Sequence, residues 1–187
     1  MILLASRSPR RRELLDQIGV QYRVMPVDVD ESRLPGEAAE VYVERVTRSK
    51  ALAAWQREPS LPVLAADTAV VLDGEPLGKP RDEVHAVEML LALSGRTHQV
   101  MSGVALLHEG ELHYRLSLSG VTFAPLTEDQ ARAYWATGEP ADKAGSYAVQ
   151  GRAALFIRHI SGSYSGIMGL PLYETGELLG EAGLLEV

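Results

Sequence analysis

Apolar and polar positions along this chain switch repeatedly between two spacings, and the switches mark out strands and helices. Ile2 to Ser6 is a short, nearly continuous apolar run that predicts a buried strand. Ser8 and Pro9 then offer an N-cap and a first-turn proline for a helix that carries Leu14, Leu15 and Ile18 and stops at Gly19. Tyr22 to Val27 reads as a second strand, followed by an acidic loop through Asp28, Asp30 and Glu31 to Pro35-Gly36. A long helix is predicted from about Glu37 to Arg57.

Pro62 to Leu72 is apolar and β-branched, interrupted only by Asp67 and Thr68, and Asp73-Gly74 behind it is a hairpin signal. A helix follows from Asp82 to Leu93, then two strands around His98–His108 and Leu112–Ala124, joined at Glu109-Gly110. Thr127 caps a further helix through Trp135. Asp142 to Leu172 is rich in Gly and Ser between short apolar runs, and a final helix spans Leu172 to Leu179. Hairpins mixed with helical crossovers imply an α/β protein with a mixed sheet and flanking helices. No repeat, linker or low-complexity stretch divides the 187 residues, so a single domain is expected.

Composition narrows the function more than the fold. A formal net charge of -7 argues against a surface built to coat nucleic acid, so any polyanion bound should be small and held locally. Cysteine is absent, which removes thiolate metal sites, disulfides and a cysteine nucleophile. The opening apolar run is too short for a signal or membrane-spanning segment, making a cytoplasmic location the default expectation.

Three placements depart from ordinary patterning. Arg10, Arg11 and Arg12 occupy the first turn of a helix, where the macrodipole disfavours cations unless an anion binds there. With Ser6 at the strand end they form a candidate phosphate cradle, the other reading being solvated arginines. Lys50 lies in the stripe of Ala39, Val43, Val46, Ala53 and Ala54, pointing either into a cleft or along the surface toward water. Arg45 and Arg48 fall on the polar face and read as ordinary.

Asp67 stands inside an apolar strand, which is costly for an ionised carboxylate without a cation. Its candidate partners are magnesium, or Lys50 and Lys79. Lys79 in Gly78-Lys79-Pro80 and Lys143 in Asp142-Lys143-Ala144-Gly145 are loop cations with small neighbours. Glu31 is either a metal ligand or an exposed acidic residue. The P-loop, zincin, EF-hand and nucleophile-elbow patterns all fail on spacing or residue type. The five histidines are scattered and read as structural or surface residues.

Taken in order, Leu4-Ala5-Ser6-Arg7-Ser8-Pro9-Arg10-Arg11-Arg12, Ala66-Asp67-Thr68, Gly78-Lys79-Pro80, Asp142-Lys143-Ala144-Gly145-Ser146-Tyr147-Ala148-Val149-Gln150-Gly151 and Gly162-Ser163-Tyr164 with Gly169-Leu170-Pro171-Leu172 resemble the Maf family of nucleotide pyrophosphatases. The resemblance implies an ITPase-like fold with two lobes around a cleft, commonly a homodimer, and no nucleic-acid or membrane partner. It implies hydrolysis of a nucleoside triphosphate to the monophosphate and pyrophosphate with Mg2+ or another divalent metal cation. Asp67 matches the proposed proton acceptor, with Lys50 and Lys79 beside it as catalytic residues. Ser6, Arg10, Arg11 and Lys143 match phosphate-binding positions, and Glu31 with Asp67 the metal position.

The trio Arg10, Thr68 and Gln150 resembles the dTTP/UTP branch rather than the 7-methyl-GTP branch. Gly166 and Met168 depart from the commoner Asn and Val, which bears on the base pocket. Two other functions keep the same charged cleft: a broader phosphatase releasing orthophosphate, and a nucleotide-binding regulator linked to division or septum formation.

Overall fold

The computed structural model describes residues 1–186. Strand β1 (Ile2–Leu4) leads through helix α1 (Pro9–Gln17) to β2 (Tyr22–Val24), and helix α2 (Ala39–Arg57) leads on to β3 (Val63–Leu72). These helical crossovers leave β1 parallel to both β2 and β3. The next strand, β4 (Glu75–Leu77), folds back on β3; α3 (Glu83–Leu93) then precedes the long strands β5 (Thr97–His108) and β6 (Glu111–Phe123). After α4 (Glu128–Trp135) come three short 3-10 turns, β7 (Ile157–Ser161), α5 (Tyr164–Met168) and α6 (Leu172–Glu181).

One mixed seven-stranded sheet results, in the order β2-β1-β3-β5-β6-β7 with β4 attached to β3. Its antiparallel half rests on two tight turns. Asp73 and Gly74 have φ of 52° and 82°, and Glu109 and Gly110 have 51° and 83°. Positive φ at both central residues matches the right-handed twist of the flanking strands, which is what the Asp-Gly and Glu-Gly pairs supply.

Helices cover both faces, as the near-continuous apolar character of β3 requires. On one face Val63 and Ala65 pack with Ala51 and Ala54 of α2, and Ala69 and Val71 with Val43. On the other, Leu64 and Ala66 meet Leu14, Leu15, Leu178 and Leu179, while Val70 and Leu72 meet Leu90, Leu93 and Tyr134. The apolar clusters on both faces therefore divide along β3 at Asp67-Thr68, and the two lobes meet there.

The sheet is also open at that point. Strand β1 pairs with β3 only as far as Leu4 opposite Leu64, and β4 joins the same edge only from Val70 onward. Between them the edge of β3 has no strand beside it among the described residues. Successive side chains of a strand point to opposite faces, so Asp67 turns toward α2 and Thr68 toward α1 and α5 across this gap.

Several boundaries, and the presence of β7, differ from the expectation. Strand β2 ends at Val24 rather than Val27, because Pro26 lacks the N–H that would continue the ladder. Helix α2 starts at Ala39, since Glu37 is engaged in the preceding loop by Arg33 and Arg45. Strand β7 forms inside the Gly- and Ser-rich stretch, paired with β6 across a bulge at Thr122/Phe123. No helix among the described residues is long and apolar enough to cross a membrane.

Candidate active site

The start of α1 borders the gap in the sheet. Ser8 occupies the N-cap position but makes no side-chain cap; instead its own N–H donates to Ser6 Oγ at 3.2 Å. The first-turn N–H groups are left for a ligand, as at any helix start without a cap. Arg11 reaches back into the cleft, its Nε donating to the Gly169 carbonyl at 2.7 Å and its Nη1 to Ser6 Oγ at 3.1 Å. Desolvation pulls the Arg11 pKa down and Asp67 opposes it, yet a guanidinium stays charged at any working pH. Arg10 has no hydrogen-bond or ion-pair partner in the chain among the described residues, and Arg12 is exposed.

Lys50 does turn inward, at 9% exposure, because its neighbours one turn away are the apolar residues that α2 buries against the sheet. Its Nζ lies 2.8 Å from Asp67 Oδ1 and 2.9 Å from Glu31 Oε1. One ammonium thus holds two carboxylates that would otherwise repel. Asp67, itself 8% exposed, satisfies the demand for a cation that its apolar strand created.

Glu31 is brought there by contacts that the sequence did not announce. Arg45, which had read as ordinary, donates to the Glu37 carboxylate and to the Ser32 carbonyl, and Tyr42 donates to the Glu31 carbonyl. The Arg45 bond holds the Glu37 pKa down at about 2. The acidic loop is therefore latched to α2, one to two turns before Lys50.

On the far wall, the Gly145 N–H donates to the Gly78 carbonyl at 3.1 Å, joining the loops that carry Lys143 and Lys79. Gly145 has φ of 69°, and a Cβ there would lie 2.8 Å from Val70 Cγ1, so only glycine lets the loop approach β3 this closely. Lys143 Nζ pairs with Asp142, whose pKa falls as a result. Lys79 is exposed and has no partner in the chain among the described residues. Gln150 is exposed at the cleft rim, beyond the wall formed by Tyr147 and Val149.

All the candidate site residues singled out from the sequence except Arg12 line one cavity of about 440 Å³, a size suited to a small molecule. Six cationic side chains border it against the carboxylates of Glu31, Asp67 and Asp142. A locally positive cavity in a chain of formal charge -7 is fitted to a small polyanion.

Residues 1–182 match the family described as Maf-like protein. The chain belongs to the Maf family. It is 56% identical over 186 residues to a protein of Alkalilimnicola ehrlichii, covering 96% of this chain and 92% of that one. It is 53% identical over 196 residues to one of Nitrosomonas europaea, covering 98% and 95%, and 54% identical over 185 residues to one of Methylococcus capsulatus, covering 98% and 91%. Each of the three is named dTTP/UTP pyrophosphatase.

In this Maf protein further buried residues support the cleft from behind without having stood out in the sequence. Ser102 on β5 lies opposite Thr68, with 2.8 Å between their hydroxyl oxygens, and donates to the Gly166 carbonyl at 2.5 Å. Arg11 Nη2 donates to Thr68 Oγ1 at 3.4 Å, so Thr68 belongs to the network that fixes the arginine. His98, expected to be structural or superficial, is buried behind the cleft, 2.6 Å from the Tyr147 hydroxyl and edge-on to Phe123 and Tyr147. Burial lowers its pKa to about 4, so it is neutral at pH 7.

The donor set suits a divalent cation that arrives with phosphate. Glu31 and Asp67 converge within reach of one Lys50 nitrogen, and Mg2+ is commonly held by one or two carboxylates together with substrate phosphates. Among the described residues no group of three or more His, Asp or Glu side chains that could hold a metal ion converges.

Proposed function

We propose that this Maf-family chain is a nucleoside triphosphate pyrophosphatase that hydrolyses dTTP and UTP, and modified pyrimidine triphosphates, to the monophosphate and pyrophosphate. The observation that supports it is the cavity itself: a buried carboxylate, Asp67, faces a ring of cations sized for a triphosphate. The names of its relatives point to dTTP and UTP among these substrates.

In this reading Arg10, Arg11, Ser6 and the free N–H groups of α1 grip phosphate oxygens from one wall, while Lys79 and Lys143 grip them from the other. Asp67 accepts a proton from a water whose oxygen attacks the α phosphorus. The bond from that phosphorus to the α,β-bridging oxygen breaks, and pyrophosphate leaves with its added charge offset by the surrounding cations. Lys50 holds Asp67 in place and aims it through their ion pair. A divalent cation held by Glu31 and Asp67 would neutralise phosphate charge and polarise the phosphoryl group. Gln150 and Thr68 face the nucleoside end, where the Gln150 amide can pair with a pyrimidine edge. A cytoplasmic location, where such triphosphates are made, and a homodimer complete the reading.

The test is product chromatography after incubation with dTTP, UTP and purine triphosphates in the presence of Mg2+. Equal amounts of monophosphate and pyrophosphate are expected, fastest from the pyrimidines, with no turnover after chelation and recovery on adding Mg2+. Orthophosphate as the sole product, or a purine preference, would reject the proposal. Asp67→Asn is expected to lower kcat by about 10²–10⁴ with the fold intact, the loss typical of a missing general base.

A further inference from the structure

Glu139 lies outside the cleft lining, and no motif in the sequence draws attention to it, yet it sits beneath the turn that presents Gln150. That turn closes with the Gly151 N–H donating to the Ala148 carbonyl at 3.0 Å, which leaves Val149 and Gln150 as its central residues. Val149 is buried in the apolar core and Gln150 projects at the rim.

Both flanks of the turn are tied to one carboxylate. On the far flank the Arg152 N–H donates to Glu139 Oε1 at 3.0 Å and Oε2 at 3.1 Å. On the near flank the Ala148 N–H donates to the Tyr134 hydroxyl oxygen at 3.1 Å, and that hydroxyl donates its single proton to Glu139 Oε2. The Tyr134 hydroxyl thus accepts from Ala148 and donates to Glu139, which gives the proton order along the three groups. Gly151 belongs to the same device: a Cβ there would lie 2.0 Å from Glu139 Oε1, so glycine lets the carboxylate pass close under the turn.

Tyr134 is anchored independently of the turn. Its ring is buried in the α3/α4 core and packs edge-on against Phe156 at 5.2 Å between centroids. Desolvation, followed by the bond to Glu139, raises its pKa, so its hydroxyl stays protonated. The closed circuit from α4 through Glu139 to both ends of a four-residue turn removes the freedom that an exposed Gly-flanked loop would otherwise have.

We propose that Glu139 and Tyr134 are positioning residues that hold the Gln150 turn at the nucleoside end of the cleft and thereby determine discrimination between pyrimidine and purine triphosphates. The inference rests on the proposed triphosphate specificity but concerns residues that touch neither the phosphates nor Asp67. It requires that loosening the turn weakens base discrimination while leaving the phosphate grip and the chemical step in place.

The test uses the full chain with Tyr134→Phe, Glu139→Gln and, for comparison, Gln150→Ala. Binding of non-hydrolysable α,β-methylene analogues of dTTP and dGTP is measured by calorimetry, so that the result does not depend on turnover. The purine-to-pyrimidine Kd ratio is expected to shrink about three- to tenfold in each variant, the range supplied by one or two lost hydrogen bonds. Adding Gln150→Ala to Tyr134→Phe is expected to change the ratio little further, as for residues acting through one another. In kinetics with dTTP, KM rises in Tyr134→Phe and Glu139→Gln while kcat stays within about twofold.

Amide exchange at Gln150 to Arg152 is expected to quicken in Tyr134→Phe, with exchange in β3 and α2 unchanged; this confirms a folded variant and reads the clamp directly. A ratio identical to that of the unmodified chain, or equal weakening for both analogues, would overturn the inference. Failure of the unmodified chain to bind the dTTP analogue would instead count against the proposed specificity, with exchange at the turn still deciding whether the clamp exists.

Discussion

At the scale of single residues, the centre of the site is a charge pair whose members lie far apart in sequence. Asp67 and Lys50 are 17 positions apart, and neither is explicable alone: a carboxylate in an apolar strand and an ammonium on an apolar helix face each carry a desolvation cost that the pair reduces. His98 shows the same physics without a partner of opposite charge. Its pKa is about 4 in the folded chain against an ordinary 6.5, so the unfolded chain binds more protons between those values. Stability is complete above about pH 6.5 and is lost as pH falls toward 4, by an amount on the order of 3 kcal/mol. Urea unfolding between pH 7 and 4 checks this, with His98→Phe expected to flatten the dependence. An unchanged slope in the variant would show that other groups carry it. Glu37 contributes lower down: with its pKa held at about 2, its share of stability survives until pH falls below the ordinary 4.5.

At the scale of elements, what matters is how loops are pressed against β3. The Lys143 loop reaches the strand only because Gly145 combines φ of 69° with a close approach to Val70. Gly145→Ala is expected to destabilise the chain by about 2 kcal/mol or more, since left-handed strain and overpacking add. In a chain this long that lowers Tm by roughly 4–8 °C. The variant should also raise KM for the triphosphate, because Lys143 and Lys79 move together through the Gly145 to Gly78 hydrogen bond. Gly138→Ala is the control: φ is 78° but a Cβ there meets nothing within 4 Å, so only conformational strain of about 1–2 kcal/mol remains. Equal Tm losses in the two variants would remove packing against Val70 from the explanation. The element order from β1 to α4, apart from the short β4 that only the Asp73-Gly74 hairpin signal foreshadowed, was legible from periodicity, turn pairs and caps, whereas β7 was not. Its Arg158 and His159 give no apolar alternation, and it exists because the edge of β6 was available.

At the scale of the whole molecule, a chain of formal charge -7 concentrates cations along one cleft. Long-range repulsion of a triphosphate is thereby replaced by local attraction whose range is set by ionic strength. Raising salt from about 50 to 500 mM shortens the screening length from roughly 14 to 4 Å. KM for dTTP should then rise several-fold with little change in kcat. A flat KM would mean that direct hydrogen bonds, rather than the field of the cleft, govern capture. The cleft itself is a product of topology: β1 stops short, β4 starts late, and the uncovered edge of β3 between them carries Asp67 and Thr68 on opposite faces.

The sequence alone determined which residues were out of place: arginines at a helix start, a lysine on an apolar stripe and an aspartate in an apolar strand. Those are local electrostatic misfits, visible because helix and strand periods depend only on near neighbours. Only the tertiary structure decided that they share one cavity, that Arg45 and Glu37 latch Glu31 beside Lys50, and that Glu139 underpins Gln150. Such contacts join residues whose chain separation is set by loops, and a loop's path follows from the surfaces that fold around it rather than from its own pattern.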